Sequence, residues 1–363
     1  MEIDNFKILK NLIGPVLITG HTGFKGTWMT LLLEKIGFEV IGYSLKPEVE
    51  SLFNFTQRAG KIHDVYGDIR DKEKLENFIL KNKPSLIYNL AAQPLVIDSY
   101  SSAYETFEIN SMGTVNILSI SQKYGSIKFV GAVTTDKVYE NKGTRIKFKE
   151  ADPLAGLDPY SESKVAAEAA IRAWQKISLL ENGPQILSLR AGNVIGGGDL
   201  SKNRLAADIA RAYQSGTDLI VRNRLNSRPW QHVLDVVYGY LLAAEYSLMD
   251  PAIKAVNFAP KDESLTVEEF INIAKNKIPN LKVRYLDNYK NKIVEATNLQ
   301  LDSSYAVKSL EWEPLYSQSE SILATFEWWD NYTKHKSAIE SCSQDLNYFS
   351  SNIKLPKYLV TKL

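Results

Sequence analysis

Val16-Leu17-Ile18-Thr19 is a short apolar run that passes without a spacer into Gly20-His21-Thr22-Gly23-Phe24-Lys25-Gly26, and a helical pattern follows from Trp28 to Ile36. A strand buried on both faces, a glycine turn and a helix, in that order, point to a parallel α/β sheet, because parallel strands need a crossover and that crossover is usually a helix. The glycines stand at positions one, four and seven of the turn, so the spacing is G-x-x-G-x-x-G. Small residues there permit a tight turn, let backbone amides approach a pyrophosphate and bring the helix against the sheet, with the anion at the helix N-terminus. Gly20, Thr22, Gly23, Phe24, Lys25 and Gly26 are therefore candidate dinucleotide contacts.

The same alternation repeats along the chain. Strands are expected at Glu39 to Tyr43, His63 to Tyr66, Leu86 to Leu90, Phe129 to Val133 and Ile186 to Arg190, with helical stretches between them. The fold class this predicts is α/β, a doubly wound parallel sheet of the Rossmann type with a smaller C-terminal α/β substrate lobe. Looser alternation after Arg190, and a strand at Ala255 to Phe258, divide the chain into residues 1–190 with 228–260 for the sheet, 191–227 with 261–335 for the lobe, and a tail over 336–363. A chain of 363 residues is long enough for one large core of this kind.

Ligands of open α/β sheets sit beyond the carboxyl ends of the strands. The third strand ends in Gly67-Asp68-Ile69, where Asp68 either reaches an adenine amine or caps the next helix, and Ile69 lies beside it. The fourth leads into Leu90-Ala91-Ala92-Gln93, small residues against which a cofactor can lie. The second ends in Ser44-Leu45-Lys46, with no acid to grip a ribose, so NAD and NADP both stay open. Asn110, in a helix expected from Tyr104 to Lys123, is either a polar prop beneath the site or a solvated residue.

The fifth strand breaks into Thr134-Thr135-Asp136-Lys137, and Asp158-Pro159-Tyr160-Ser161-Glu162-Ser163-Lys164 then opens a helix. Tyr160 and Lys164 stand four residues apart on one face, which lets an ammonium favour the ionised phenol and makes Tyr160 a base below its usual value of about 10. Further on, Ala191-Gly192-Asn193-Val194-Ile195-Gly196-Gly197-Gly198-Asp199 reads as a mobile or ligand-approaching loop. Arg222, Arg224 and Arg228 beside Trp230 suit a diphosphate with a stacking surface nearby.

Composition excludes several alternatives. With 43 basic and 42 acidic side chains the net charge is +1, which offers no polyanion track for nucleic acid and no membrane-surface patch. One cysteine, Cys342, rules out an intramolecular disulfide and any multi-cysteine metal site, and it is expected to be half-buried. No metal site is expected. Neither a secretory signal at Met1 to Lys10 nor a membrane-length apolar stretch is visible, so the cytoplasm is the expected compartment.

Together the glycine turn, Thr135-Asp136-Lys137 and Tyr160-x-x-x-Lys164 resemble the extended short-chain dehydrogenase/reductase superfamily. Ala91-Ala92-Gln93-Pro94-Leu95-Val96, Asp136-Lys137, Arg190 to Asp199 and Arg228-Pro229-Trp230-Gln231-His232-Val233 resemble, more narrowly, the CDP-glucose 4,6-dehydratases; sister enzymes acting on dTDP-glucose or GDP-mannose carry Asp-Glu where this chain has Asp136-Lys137. The resemblance implies an NAD cofactor also bordered by Thr134, Tyr160 and Lys164, a nucleotide-sugar substrate, CDP-glucose, and a homodimer or homotetramer. It implies catalysis by Thr135, Asp136, Lys137, Tyr160 and Lys164, and substrate contacts from Gln93, Asn193, Arg204, Arg222, Asn223, Arg228 and His232. Three positions depart from the pattern: Ile97-Asp98 where a basic residue is expected, Arg224 where proline is usual, and Val294-Glu295-Ala296 in place of His-Glu-Ala. A nucleotide-sugar 4-epimerase, a dehydratase of another nucleotide hexose and a non-catalytic nucleotide binder remain alternatives.

Overall fold

The computed structural model describes residues 6–143, 146–286, 299–334 and 336–360. Seven parallel strands form the main sheet: β1 (Val16–Thr19), β2 (Val40–Ser44), β3 (His63–Tyr66), β4 (Leu86–Asn89), β5 (Phe129–Val133), β6 (Gln185–Ala191) and β7 (Ala255–Phe258). They lie in the order β7-β6-β5-β4-β1-β2-β3. Val16 pairs with Val40 on one side and with Leu86 on the other, so the winding direction reverses between β1 and β4 and opens a crevice at their carboxyl ends. This is the Rossmann-type doubly wound sheet.

Nine helices of eight or more residues are found among the described residues: α1 (Phe24–Lys35), α2 (Lys72–Asn82), α3 (Gly113–Lys123), α4 (Pro159–Glu181), α5 (Leu205–Ser215), α6 (Val233–Met249), α7 (Val267–Ala274), α8 (Gln318–Thr333) and α9 (Ala338–Asn352). Successive strand residues face opposite sides, and the core divides accordingly. Val16 and Ile18 join Trp28 and Leu32 of α1 and Leu241 of α6 on one face. Leu17 joins Ile79 of α2, Ile117 of α3 and Ile171 of α4 on the other. Helix α6 is buried nearly all round, which explains its almost unbroken apolar sequence.

The helix expected from Tyr104 to Lys123 is interrupted by a π turn at Glu108–Met112 ahead of α3. Its extra residue has a steric and polar context. Gly113 lies so close to Ile69 that a β-carbon would meet Cγ2 at 2.7 Å, and Asn110 points into the protein instead of into solvent.

In the second lobe, Leu219–Val221 pairs in parallel with Val283–Tyr285, and Ser227–Arg228 pairs antiparallel with Leu265–Thr266. The departure at Val294-Glu295-Ala296 lies outside the described residues. The stretch expected as a tail carries α9, opened by a capping box between Ser337 and Glu340. Cys342, Leu346 and Phe349 enter the same core as α6, so Cys342 is fully buried and not half-buried.

The glycine run after β6, expected to be mobile or ligand-approaching, is packed against its neighbours, and Gly192, Asn193 and Gly198 also border a cleft at the carboxyl ends of the strands. Gly196 lies against Val233, Gly197 under the Trp328 ring and Gly198, at φ +81°, against Leu52, while Trp28 Nε1 donates to Gly197 O at 3.0 Å. These glycines let bulky neighbours close over the backbone.

Candidate functional site

A cleft of about 1040 Å³ lies at the carboxyl ends of the strands, between the sheet and the second lobe. Gly20, Thr22, Gly23, Phe24, Lys25 and Gly26 border it. Gly20 adopts φ +73°, and a β-carbon there would stand 2.8 Å from Ala91 N, so the close approach of β1 to the β4 loop needs glycine. Helix α1 has Gly23 as its N-cap and no side-chain cap, which leaves its first-turn amides to an anion. The Thr22 and Ser44 hydroxyls are 2.8 Å apart, and Thr22 Oγ1 donates to Leu45 O at 3.0 Å, tying the turn to the end of β2.

Asp68, Ile69, Leu90, Ala91 and Ala92 also line the cleft. Asp68 does not cap α2; Asp71 does, accepting from Lys74 N at 3.0 Å. Asp68 instead receives Arg70 Nη2 at 2.7 Å, and that guanidinium holds its carboxyl below the usual range. Gln93 is absent from the cleft wall, contrary to its expected cofactor and substrate roles. Its Nε2 donates to Thr106 Oγ1 at 3.0 Å and to Leu95 O at 3.1 Å, while Oε1 accepts from Leu95 N, so the amide is used up in shaping its own loop.

Asn110 is the prop and not the solvated residue. Its Oδ1 accepts from Gln93 N at 2.9 Å, and its Nδ2 donates to Gln93 O at 3.0 Å and to Ser163 Oγ at 2.8 Å. One side chain thereby fixes the β4 loop against the helix that carries Tyr160.

Thr134, Thr135, Asp136, Lys137, Tyr160 and Lys164 all line the cleft. A tight turn at Asp136–Val138 follows β5; Thr135 Oγ1 donates to Asp136 Oδ1 at 3.0 Å and accepts from Lys137 N at 3.3 Å. Asp136 is 3% exposed, and burial raises its pKa against the opposing pull of Lys137, Thr135 and Arg228. Tyr160 sits in the first turn of α4 because Asp158 caps that helix, accepting from Ser161 N at 2.8 Å, with Pro159 at its first position.

The expected ionisation of Tyr160 by Lys164 is not what the chain itself provides. Burial pushes the phenol up to about 12, with a Thr135 hydrogen bond and the Arg204 charge pulling the other way. Lys164 Nζ donates to Val133 O at 3.1 Å, and burial pushes it down to about 8 against the pull of Glu168. Desolvation disfavours both charged forms and outweighs their spacing. Lys25 is similarly pushed down to about 7, by burial first and then by Arg204 and Lys164.

Beyond β6 in the chain, Asn193, Arg204, Arg222, Asn223 and Arg228 reach the cleft, as does Trp230. Arg204 Nη1 is held 3.2 Å from the buried Asp199, and Arg228 Nη1 donates to Ser227 O at 2.9 Å. Arg224 is not part of the wall and pairs with Glu268 at 3.6 Å. His232 is corrected from a substrate contact to a helix cap. It is 0% exposed, its Nδ1 accepts from Leu234 N at 3.3 Å, and it is wedged between the rings of Trp28 and Tyr316.

Sequence reasoning missed Glu168 and Asp199, buried carboxylates that anchor residues of the cleft. A signal existed for the first: Tyr160, Lys164 and Glu168 repeat at intervals of four.

An uncapped helix N-terminus, a positive-φ glycine and a strip of small residues fit a dinucleotide, and the arginines beyond fit a second phosphate ligand. The chain is 39% identical over 321 residues to a CDP-glucose 4,6-dehydratase of Salmonella typhimurium, a match spanning 86% of this chain and 89% of that one. A dTDP-glucose 4,6-dehydratase from Bacillus anthracis, solved in complex with NAD, superposes with a TM-score of 0.73 at 23% identity, over 91% of this chain and 99% of the other. For a UDP-glucose 4-epimerase of Thermotoga maritima, solved with UDP-glucose, the TM-score is 0.76 at 22% identity, over 88% and 99%. Residues 17–325, from β1 into α8, match the GDP-mannose 4,6 dehydratase family, and to that family this chain belongs.

Proposed function

We propose that the protein is a CDP-glucose 4,6-dehydratase that removes one water from its substrate through an internal redox cycle. The observation that carries this reading is a buried carboxyl with a raised pKa, Asp136, next to the amine of Lys137 in the same cleft as Tyr160. An epimerase has no use for such an acid and amine. The similarity to the Salmonella enzyme supports the choice of CDP-glucose. NAD is the proposed cofactor, held by Gly20, Thr22 to Gly26, Asp68, Ile69, Leu90 to Ala92, Thr134, Tyr160 and Lys164, and its nicotinamide would accept a hydride from the sugar and return it.

The residues divide the proton work. Tyr160 takes the proton of the C4 hydroxyl, with Thr135 bonded to the same oxygen. Its own burial opposes ionisation, so the base must form when the site fills with opposite charge. Oxidation at C4 acidifies C5, and Lys137 removes that proton. Asp136, whose pKa burial raises, gives its proton to the departing C6 hydroxyl, which leaves as water. Asn193, Arg204, Arg222, Asn223 and Arg228 hold the nucleotide diphosphate.

A homodimer or homotetramer is part of this proposal, supported by the exposed Tyr104, Phe107 and Met112 along one helical stretch. The proposed compartment is the cytoplasm; no described helix is long and apolar enough to cross a membrane.

Incubation with CDP-, dTDP-, UDP- and GDP-hexoses, each with NAD or NADP, followed by product mass, tests the reading. Loss of one water from CDP-glucose is expected. A product of unchanged mass would make the protein an epimerase, and bound cofactor without any product would make it a binder.

A further inference from the structure

Glu168 and Arg190 are both buried, and neither takes part in the steps above. Glu168 Oε1 lies 2.8 Å from Arg190 Nε, and Oε2 lies 2.8 Å from Nη2, a two-pronged ion pair. Two hydroxyls complete the carboxylate's shell, Thr134 Oγ1 at 2.7 Å and Ser188 Oγ at 2.5 Å. On the other side Arg190 Nη1 donates to the Tyr139 hydroxyl at 2.7 Å and to Glu150 O at 3.0 Å. Tyr139 in turn donates to Asn257 Oδ1 on β7 at 2.7 Å.

Thr134 and Tyr139 are the residues that flank Thr135-Asp136-Lys137-Val138. One end of the turn is thus bonded to the anion of the pair and the other end to the cation. Glu168 belongs to α4, four residues beyond Lys164 and eight beyond Tyr160, so the same pair is built into the helix that presents the phenol and amine. Burying two charges is seldom the cheapest way to fill a core, and its best attested use is to fix one arrangement among several.

We propose that the Glu168–Arg190 pair is a positioning device which holds the turn bearing Asp136 and Lys137 in register with the helix bearing Tyr160 and Lys164. It rests on the dehydratase reading, and it couples the elimination half of the cycle to the oxidation half. Both residues are positioning residues; neither touches the reacting atoms.

Tyr139→Phe is the direct test, because it removes the link from Arg190 to the far end of the turn and keeps the ring that stacks on Phe148 at 5.0 Å. In a single turnover with CDP-glucose, oxidation should stay within about twofold of the unmodified protein while elimination slows by about tenfold or more, as expected for a misplaced acid and base. Reduced nicotinamide would then accumulate, visible by its absorbance, and deuterium at C5 would wash out more slowly. Arg190→Lys keeps the charge but cannot fork between Glu168 and Tyr139, and the same split is expected from it. An equal fall in both steps, or no change in either, with an active parent protein overturns the positioning role alone. A parent protein that releases no dehydrated product overturns both this role and the function on which it rests.

Discussion

Gly192 and Asp136 compete for one volume: a β-carbon added at Gly192 would stand 2.6 Å from Asp136 Oδ2. Gly192 is not in a positive-φ conformation, so the absent side chain makes room for the acid and not for the backbone. Gly192→Ala should therefore displace the carboxylate while leaving the fold intact. The expected result is a fall in kcat of about tenfold or more with a thermal midpoint close to that of the parent, checked by steady-state kinetics and calorimetry.

Asp136 also predicts a stability change of defined sign. Its folded pKa is raised above the reference of 3.8, so its contribution to stability is fully present below 3.8 and is lost as pH rises through the folded value. Asp136→Asn has no charge to bury. It should be inactive, yet more stable than the parent at pH 7, with the gap closing as pH is lowered toward 3.8; denaturant midpoints across that range would show it.

Arg228 is buried, borders the cleft and acts on Asp136 through its charge. Arg228→Ala should raise KM by about tenfold or more, since a charge-assisted contact is worth about 1.5–3 kcal/mol. Arg228→Lys should recover only part of that, because an ammonium cannot offer a phosphate the paired N–H groups of a guanidinium. An unchanged KM in Arg228→Ala would remove it from the diphosphate site.

His232 predicts acid sensitivity. Burial pushes its imidazole down to about 3 from 6.5, so the stability it contributes is present above 6.5 and is lost as pH falls toward 3. At pH 5 the loss is about 2 kcal/mol. His232→Asn retains a capping oxygen for Leu234 N, and its urea midpoint should fall less steeply between pH 6.5 and 5.

The sheet was readable from sequence because strands covered on both faces are mostly apolar, as β1, β4 and β5 are. The spacing of Tyr160 and Lys164 was readable for a similar reason, since a helix fixes which residues share a face. Gln93 and His232 misled because a polar side chain advertises chemistry without naming its partner, and their partners, Thr106 for one and the Trp28 and Tyr316 rings for the other, are settled only by folding. The acidity of Tyr160 was misjudged for another cause. Spacing reveals which charge is near, whereas desolvation depends on everything packed around the group. The glycines at 196–198 belong to the same class, because Leu52, Val233 and Trp328 come from three distant parts of the chain.

The π turn at Glu108–Met112 has an evolutionary corollary. It houses one residue more than a regular helix would, and that surplus aims Asn110 at the β4 loop and at Ser163. Losing a single codon there would yield a smoother, intrinsically steadier helix whose amide had swung away from both. Selection for tidier local geometry and selection for the buried amide bonds therefore pull this segment in opposite directions, and a shortened version should melt earlier as the Tyr160 helix loses its fixed bearing on the cleft.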